Sequence, residues 1–184
     1  MIKMRLNFLK IVRCFSSDAD IKNIFVNSLK YTNQQVQSRY EPRANELINA
    51  IRINDYNHAK RLVLCDKIDV DGHDVGENTA LTDAAKRGDL AGVDFLMEHL
   101  RANANACCHC PQFRTALHYA AEYSHTDVLK SLLIKHKANP LSRDANNKTP
   151  LHFANNDEIR QILIRHQNTY SLMLPNKSTK LLPK

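Results

Sequence analysis

The chain has 184 residues and a mass of 21.1 kDa, enough for one domain and modest tails. Hydrophobic residues make up 43% and charged residues 24%, which is ordinary for a globular protein. Only four glycines are present, and their positions exclude both kinds of glycine-rich phosphate-binding loop. Every apolar run is short, of the Leu-Val-Leu kind, so no segment is predicted to span a bilayer.

The formal net charge of +7 is distributed unevenly along the chain. Residues 1–42 carry seven basic and three acidic side chains, and residues 167–184 carry three lysines and no acid. Residues 43–166 hold 16 basic and 16 acidic side chains, so the middle of the chain is neutral. Because the basic excess lies at the ends and not on a folded face, we expect no nucleic-acid partner.

A repeat occupies the middle of the chain. Residues 79–85, 115–121 and 149–154 align with one another, and their first threonines lie 36 and 34 residues apart. A fainter copy covers residues 46–50. Each unit is predicted to form two short helices and a polar loop. Helices this short are marginal alone, so each must bury its apolar face against a neighbouring unit.

The motif residues identify a family. Thr149-Pro-Leu-His-Phe-Ala154 resembles the TPLHxA signature of ankyrin repeats, and residues 115–120 match it with alanine in place of proline. The resemblance covers residues 43–166 and implies an all-α solenoid of four stacked helix-turn-helix units with projecting hairpin fingers. The first and the shortened last unit resemble caps. The second unit has Thr82 in place of the motif histidine. It also has about two extra residues near His99–Arg101, so its second helix or the loop after it is predicted to be longer.

The resemblance assigns structural roles to the motif threonines and histidines. The threonines sit where a first helix needs an N-cap acceptor, and each bonds toward its paired histidine. A catalytic or metal-binding histidine pair is the alternative, but the two histidines lie one repeat apart, too far for a shared ligand. We therefore predict no catalytic residue and no enzyme activity. The structural motif residues are Thr79, Thr115, His118, Thr149 and His152.

The resemblance also places the partner surface. In ankyrin repeats it is concave and is built from finger tips and the exposed side of the first helices. Carried onto this chain, the fingers are residues 72–77, 108–113 and 143–147. We expect a monomer that binds a protein partner, whose identity the sequence does not give. On the first helices the candidates are Lys86, Arg87, Glu122 and Tyr123. The residues singled out as partner-binding are His73, Arg87, Phe113, Tyr123 and Arg143.

Three of the five cysteines crowd together as Cys107-Cys108-His109-Cys110. This cluster could offer two or three metal ligands, and His73 occupies the equivalent place in the preceding finger. A structural zinc site needs four ligands, and the second half of such a motif is missing from the sequence. We therefore predict no metal and no cofactor, and we expect reduced cysteines in an exposed turn that is open to oxidation.

The N-terminal extension, residues 1–42, is predicted to combine a targeting segment with one helix. Residues 1–17 are basic, free of acids and apolar on one helical face, which is typical of a mitochondrial transit peptide. The alternative is a basic helix that packs on the first repeat or lies on a membrane surface. Residues 167–184 are predicted to be a disordered basic tail.

Three functions are compatible with these features. The first is a non-enzymatic protein–protein interaction adaptor, imported into mitochondria. The second is a cytoplasmic or nuclear inhibitor or regulator of a partner protein, similar in size to the small ankyrin inhibitors of cyclin-dependent kinases. The third is a metal or thiol-redox module at Cys107–Cys110.

Overall fold

A computed structural model describes residues 43–173, and the predictions for residues 1–42 and for the chain after Met173 lie outside this range. Within it the chain forms seven α-helices, one π-helical turn and one 3₁₀ helix. The elements are α1 (Ala44–Arg52), α2 (Tyr56–Leu64), α3 (Ala80–Arg87), α4 (Leu90–Glu98), α5 (Ala116–Glu122), α6 (Thr126–Lys130) with the π-helical turn (Ser131–Lys135), the 3₁₀ helix (Pro150–Phe153) and α7 (Asp157–Met173).

These elements form four helix pairs stacked in one row. The first helix of each pair (α1, α3, α5 and the 3₁₀ helix) packs on the first helix of the next pair, and each second helix packs on its own first. Leu47, Leu81 and Leu117 occupy the same place in successive first helices, and each is about 1% exposed. Within residues 43–173 no strand is present, so the fold is the all-α solenoid that the resemblance implies.

The repeat is also visible in the backbone. All residues with positive φ in the described range fall into three equivalent sets, each with members 34 or 36 residues apart. Left-handed backbone ends a helix or tightens a turn, so its recurrence marks equivalent corners of successive units. The sets are Asn54, Gly88 and Ser124; Lys67, Arg101 and Lys137; and Glu77, Phe113 and Asn147.

The two extra residues of the second unit lie in the finger after its second helix, so the loop is longer and the helix is not, and the predicted place near His99–Arg101 is wrong. Helices α2 and α4 both have nine residues, and the corners Lys67 and Arg101 follow them at the same distance. In the next segment the spacing differs: Phe113 lies two residues farther along the chain from Arg101 than Glu77 lies from Lys67. A finger projects from the stack and accommodates extra length, whereas a longer helix would disturb packing on its neighbours.

The last unit differs from the prediction at both of its helices. Its first helix is a single 3₁₀ turn, because Asn156 already caps α7 by accepting the backbone N–H of Ile159 at 2.7 Å. Helix α7 continues to Met173, so residues 167–173 are helical and are not part of a disordered tail. The Gln167 side chain holds this segment by donating to the Pro140 carbonyl at 3.1 Å.

No helix between residues 43 and 173 combines the length and the apolar character needed to cross a bilayer.

Candidate functional site: the face of fingers and first helices

The capping pair of the third unit is fully buried. Nδ1 of His118 lies 3.2 Å from the Thr115 backbone nitrogen, which donates to it, and 2.9 Å from the Thr115 hydroxyl. With Nδ1 accepting, Nε2 carries the proton and donates to the Lys148 carbonyl of the next finger at 3.1 Å. Burial of the ring lowers the pKa of His118 to about 4. His118 therefore caps its own helix and also ties the third unit to the fourth.

The last unit repeats this cap with histidine, whereas the second unit builds it from threonine. In the last unit Nδ1 of His152 accepts from the Thr149 nitrogen at 3.1 Å. In the second unit the Thr82 hydroxyl accepts from the Thr79 nitrogen at 2.9 Å, and the Thr82 nitrogen donates back to the Thr79 hydroxyl at 3.1 Å. Threonine thus completes the cap locally, but its short side chain makes no bond to the next finger.

His73 instead joins its finger to the next one, at a different carbonyl from the one equivalent to Lys148, and its burial removes it from the candidate contact residues. It is only 6% exposed, and its Nε2 lies 3.1 Å from the Cys107 carbonyl of the next finger. Its ring also packs edge-on against His109 with centroids 4.2 Å apart. The sequence placed His73 in a finger correctly, but it did not show that the fingers pack on one another.

Backbone hydrogen bonds join the three fingers into one continuous edge. The His109 nitrogen donates to the Glu77 carbonyl at 2.9 Å, and the Ala145 nitrogen donates to the Gln112 carbonyl at 2.8 Å. The fingers therefore present a connected rim and not three separate loops.

The middle finger replaces a carboxylate with sulfur. In the outer fingers Asp74 and Asp144 accept the nitrogens of Asn78 and Lys148, each at 2.8 Å. The equivalent nitrogen of the middle finger, from Arg114, lies 3.3 Å from Sγ of a cysteine, Cys108. The inserted residues bring this sulfur to the place that the aspartate oxygen holds in the other two fingers.

Cys108 and Cys110 form a disulfide across this turn, so the expectation of reduced cysteines is wrong for both, and the expectation of an exposed cysteine is wrong for Cys108. Cys108 is 0% exposed, and the Tyr119 hydroxyl lies 3.5 Å from its sulfur and 3.6 Å from that of Cys110. Sulfurs joined in a disulfide are not available as thiolate ligands for a metal. The pair instead closes a turn in which Cys108 is buried and Cys110 is half-buried.

Phe113 is also removed from the contact candidates, since it is only 7% exposed. It occupies the left-handed corner of the middle finger, with φ of 51°, and its nitrogen donates to the Cys110 carbonyl at 3.0 Å. Its ring lies inside the finger against His109, with centroids 6.3 Å apart. An aromatic residue at this corner fills the enlarged finger.

The remaining candidates lie on the surface. Tyr123 ends α5 and is 47% exposed. Arg87 pairs with Asp83 at 3.0 Å, and Arg52 of the preceding unit holds the same carboxylate at 2.6 Å. Arg143 donates to the Asn147 carbonyl at 3.1 Å and so braces the third finger.

Cations and aromatic rings alternate along the first helices of units two to four. Lys86 Nζ lies 5.9 Å from the centre of the Tyr119 ring and 6.0 Å from that of Tyr123. The Arg114 guanidinium lies 6.0 Å from the Tyr119 ring and 4.2 Å from the ring of Phe153. Lys148 Nζ then lies 5.8 Å from Phe153 on the other side. We call these six residues the cation–aromatic strip: Lys86, Arg114, Tyr119, Tyr123, Lys148 and Phe153.

Of the six strip residues, only Lys86 and Tyr123 are among the candidates predicted from sequence. Arg114 and Lys148 each precede a motif threonine directly, and Tyr119 and Phe153 each follow a motif histidine directly. Equivalent positions in stacked repeats lie side by side, so this pattern could have revealed the strip from sequence. The pairing of residues from neighbouring units becomes visible only in the fold.

A second polar cluster lies on the other helices. Ligand atoms of Asp94, Glu98 and His136 all lie within 4.8 Å of one another. The Lys135 ammonium group already pairs with Asp94 at 2.7 Å. Ser131 and His136 also bond to that carboxylate, and the three contacts together outweigh burial and lower its pKa. Because a lysine supplies the positive charge, this cluster is an ion-pair network that joins α4 to the next unit.

Comparison with known families agrees with this architecture. Residues 100–173 match the family model described as ankyrin repeats, in three copies. This segment belongs to the ankyrin repeats, and the stacking of the preceding helix pairs continues the same solenoid. Ankyrin repeats are protein–protein interaction modules and are generally not enzymes. No curated protein matches the chain.

Proposed function

We propose that this chain is a non-enzymatic adaptor that binds one protein partner on the cation–aromatic strip. The observation that carries the proposal is the exposed ring of Tyr123 beside Lys86, in the middle of the face that fingers and first helices share. A large aromatic ring exposed next to cations is typical of an interface anchor, since it buries much area at little entropic cost.

Cross-linking in cells tests this proposal. The full-length chain is treated with a lysine-reactive cross-linker, and the attached peptides are identified by mass spectrometry. We expect one partner protein linked to Lys86 and Lys148, and not to Lys60 on α2. Tyr123→Ala should abolish these links, whereas Leu172→Ala, at a side chain that is 87% exposed on α7, should keep them. Equal links in both variants would contradict a partner surface at the strip.

The proposed adaptor is a monomer with a mass of 21.1 kDa. A repeat stack meets its partner along its side and needs no second copy of itself to complete its core. Light scattering after gel filtration should return the mass of one chain at micromolar concentration. Twice that mass would replace this part of the proposal with a homodimer.

The proposed location is the mitochondrion, because residues 1–17 are basic, free of acids and apolar on one helical face. The competing location is the cytoplasm or nucleus, where the chain would act as a regulator of its partner. N-terminal sequencing of a C-terminally tagged chain from fractionated cells distinguishes the two. A start near Ser16 in the mitochondrial fraction supports import, and a full-length chain in cytosol or nucleus supports the regulator.

A further inference from the structure

The strip carries more positive than negative charge. Lys86 and Lys148 are exposed, and within residues 43–173 no carboxylate lies within ion-pairing distance of either ammonium group. Arg114, between them, pairs with Glu122 at 2.6 Å and lies 3.9 Å from the buried carboxylate of Asp144. Three cations therefore stand against two carboxylates, of which only Glu122 reaches the surface. The two lysines sit over ring faces, which leaves the side of each ammonium group away from the ring open to a further partner.

The two charged ends of this chain do not complement the strip. Residues 1–42 hold seven basic and three acidic side chains, and residues 174–184 hold three lysines and no acid. Either segment would bring positive charge to a positive surface, and like charges disfavour that contact. The charge of the strip therefore favours a different, negatively charged molecule over either end of this chain.

The contacts along the strip limit how far apart the two lysines can be. The cations and rings form a path from Lys86 through Tyr119, Arg114 and Phe153 to Lys148. The four cation-to-ring distances along this path, placed end to end, allow at most about 22 Å between the two ammonium groups. An extended peptide rises about 3.3 Å per residue, so about six residues cover that span. Two side chains an even number of residues apart point to the same side of an extended chain, so both can face the strip.

We propose that the cation–aromatic strip binds an extended protein segment carrying two carboxylate side chains four or six residues apart. One carboxylate meets Lys86 and the other meets Lys148, and the chain between them lies across Tyr123 and Phe153. This proposal rests on the proposed function, because it names the chemistry of the partner at that same surface.

An acidic protein segment fits this surface better than a nucleic acid does. Nucleic acid presents a negative charge at every step of its backbone and is bound by several cations along its path. Here only two cations lack carboxylate partners, and the Glu122 carboxylate lies between them. A segment with two spaced acids avoids Glu122, whereas a continuous phosphate backbone would pass over it.

Selection from a displayed library of random 12-residue peptides tests the proposal. The full-length chain is the bait, and enriched peptides are then measured against charge-reversal and control variants. We expect enrichment of Asp or Glu pairs four or six residues apart. Lys86→Glu with Lys148→Glu should weaken these peptides about tenfold or more, because each reversal turns an attraction into a repulsion. Raising the salt concentration should weaken them as well.

The matched control makes the same change of charge elsewhere. Arg61→Glu with Arg165→Glu alters two exposed residues on the second helices α2 and α7, and should leave affinity within about twofold. Circular dichroism checks that each variant folds. If the reversed lysines prevent folding, Lys86→Gln with Lys148→Gln replaces them, with about fivefold weakening expected.

The outcomes separate this proposal from the proposed function. If the enriched peptides lack acidic residues but need Tyr123 for binding, the proposal of an acidic partner is overturned and the proposed interaction surface is kept. Acidic peptides that bind the reversed variant equally well would also overturn it. Peptides insensitive to every strip variant would overturn both proposals. Tight, lysine-dependent binding of a labelled single-stranded 20-nucleotide probe would assign the strip to nucleic acid.

Discussion

At the scale of single residues, the left-handed corners are where this sequence departs most from what its backbone prefers. Gly88 and Ser124 occupy equivalent corners, with φ of 75° and 60°. Glycine adopts this conformation without penalty, whereas a side chain with Cβ meets steric resistance. One corner is therefore relaxed and the other strained, although both end a first helix in the same way.

Substitutions at these two corners should have opposite effects. Ser124→Gly should raise the free energy of unfolding by roughly 0.5–1 kcal/mol. It removes the steric penalty of the left-handed backbone, and the greater entropy of the unfolded glycine chain offsets only part of that gain. Gly88→Ala should lower it by about 1–3 kcal/mol, because the new Cβ would lie 2.5 Å from the His125 ring. Urea unfolding measures both changes.

Ser124→Ala is the control, because it removes the hydroxyl and keeps Cβ. It should leave stability within about 0.5 kcal/mol of the wild type. A gain as large as that of glycine would show that loss of the hydroxyl, and not backbone relief, stabilises the corner.

His118 makes stability depend on pH. Burial lowers its pKa to about 4, against 6.5 for an ordinary histidine. The unfolded chain therefore binds this proton first as pH falls, so the contribution of His118 is complete above about pH 6.5 and is lost between about pH 6.5 and 4. The loss should amount to roughly 3 kcal/mol, at 1.36 kcal/mol per pKa unit. Denaturant unfolding at a series of pH values measures it.

His118→Gln separates this effect from the other histidines. The variant is expected to be less stable at neutral pH, because it loses bonds to Thr115 and Lys148. Its stability should also fall less steeply between pH 6.5 and 4 than that of the wild type, since the buried ring is gone. An unchanged slope would assign the pH dependence to other groups.

At the scale of elements, the middle finger depends on a sulfur contact that its neighbours do not need. Reduction of Cys108–Cys110 by a dithiol adds two electrons and two protons and yields two thiols, while the dithiol is oxidised to its own disulfide. The closed loop holds only three residues, so its opening should lower stability by about 1–2 kcal/mol. The Arg114 amide, which lies against Cys108 Sγ, should then exchange its hydrogen faster.

Cys110→Ser should reproduce this effect without reductant, and dithiothreitol should add little to it. Cys65→Ser, at an exposed cysteine outside the disulfide, should change neither stability nor exchange. Equal rates of hydrogen exchange at the Arg114 amide in oxidised wild type and in Cys110→Ser would show that the disulfide does not shape the finger.

At the scale of the whole molecule, each unit depends on its neighbours for its stability. Leu117 lies in the first helix of the third unit, and it is 1% exposed. Leu117→Ala should lower the free energy of unfolding by roughly 2–5 kcal/mol, because it leaves a cavity between stacked helices. Thermal unfolding should remain a single transition, since each unit buries its apolar face only against the next.

Leu172→Ala is the matched truncation, at a leucine that is 87% exposed. It should leave the midpoint of unfolding unchanged within about 1 °C. Two separate transitions in Leu117→Ala would mean that the ends of the stack fold independently of its centre.

Structural features could be predicted from the sequence where one residue type meets one local structural requirement. Thr115 and His118 follow from the motif, because a helix start needs a cap and this pair supplies it. The alternation of short apolar stripes likewise predicted stacked helix pairs. These features depend on contacts within a unit, and such contacts leave a regular spacing in the chain.

Contacts between units could not be predicted from sequence in the same way. His73 and Phe113 lie in finger segments, which suggested exposure, yet the fingers pack on one another and bury both. The interval between Thr79 and Thr115 showed that two residues were added, but not that the finger holds them. Helix α7 extends beyond residue 166 because the Gln167 side chain donates a hydrogen bond to the Pro140 carbonyl, which is distant in sequence.

The left-handed corners also bear on how long the protein persists in a cell. Eight of these nine corners carry side chains, at a conformational cost of about 1 kcal/mol each. That total is comparable with the whole stability of a small domain, so the unbound chain would visit unfolded states that proteases degrade. A partner that binds only the folded stack would shift this balance. The abundance of this chain would then follow the abundance of any protein that binds it, and unbound copies would be degraded.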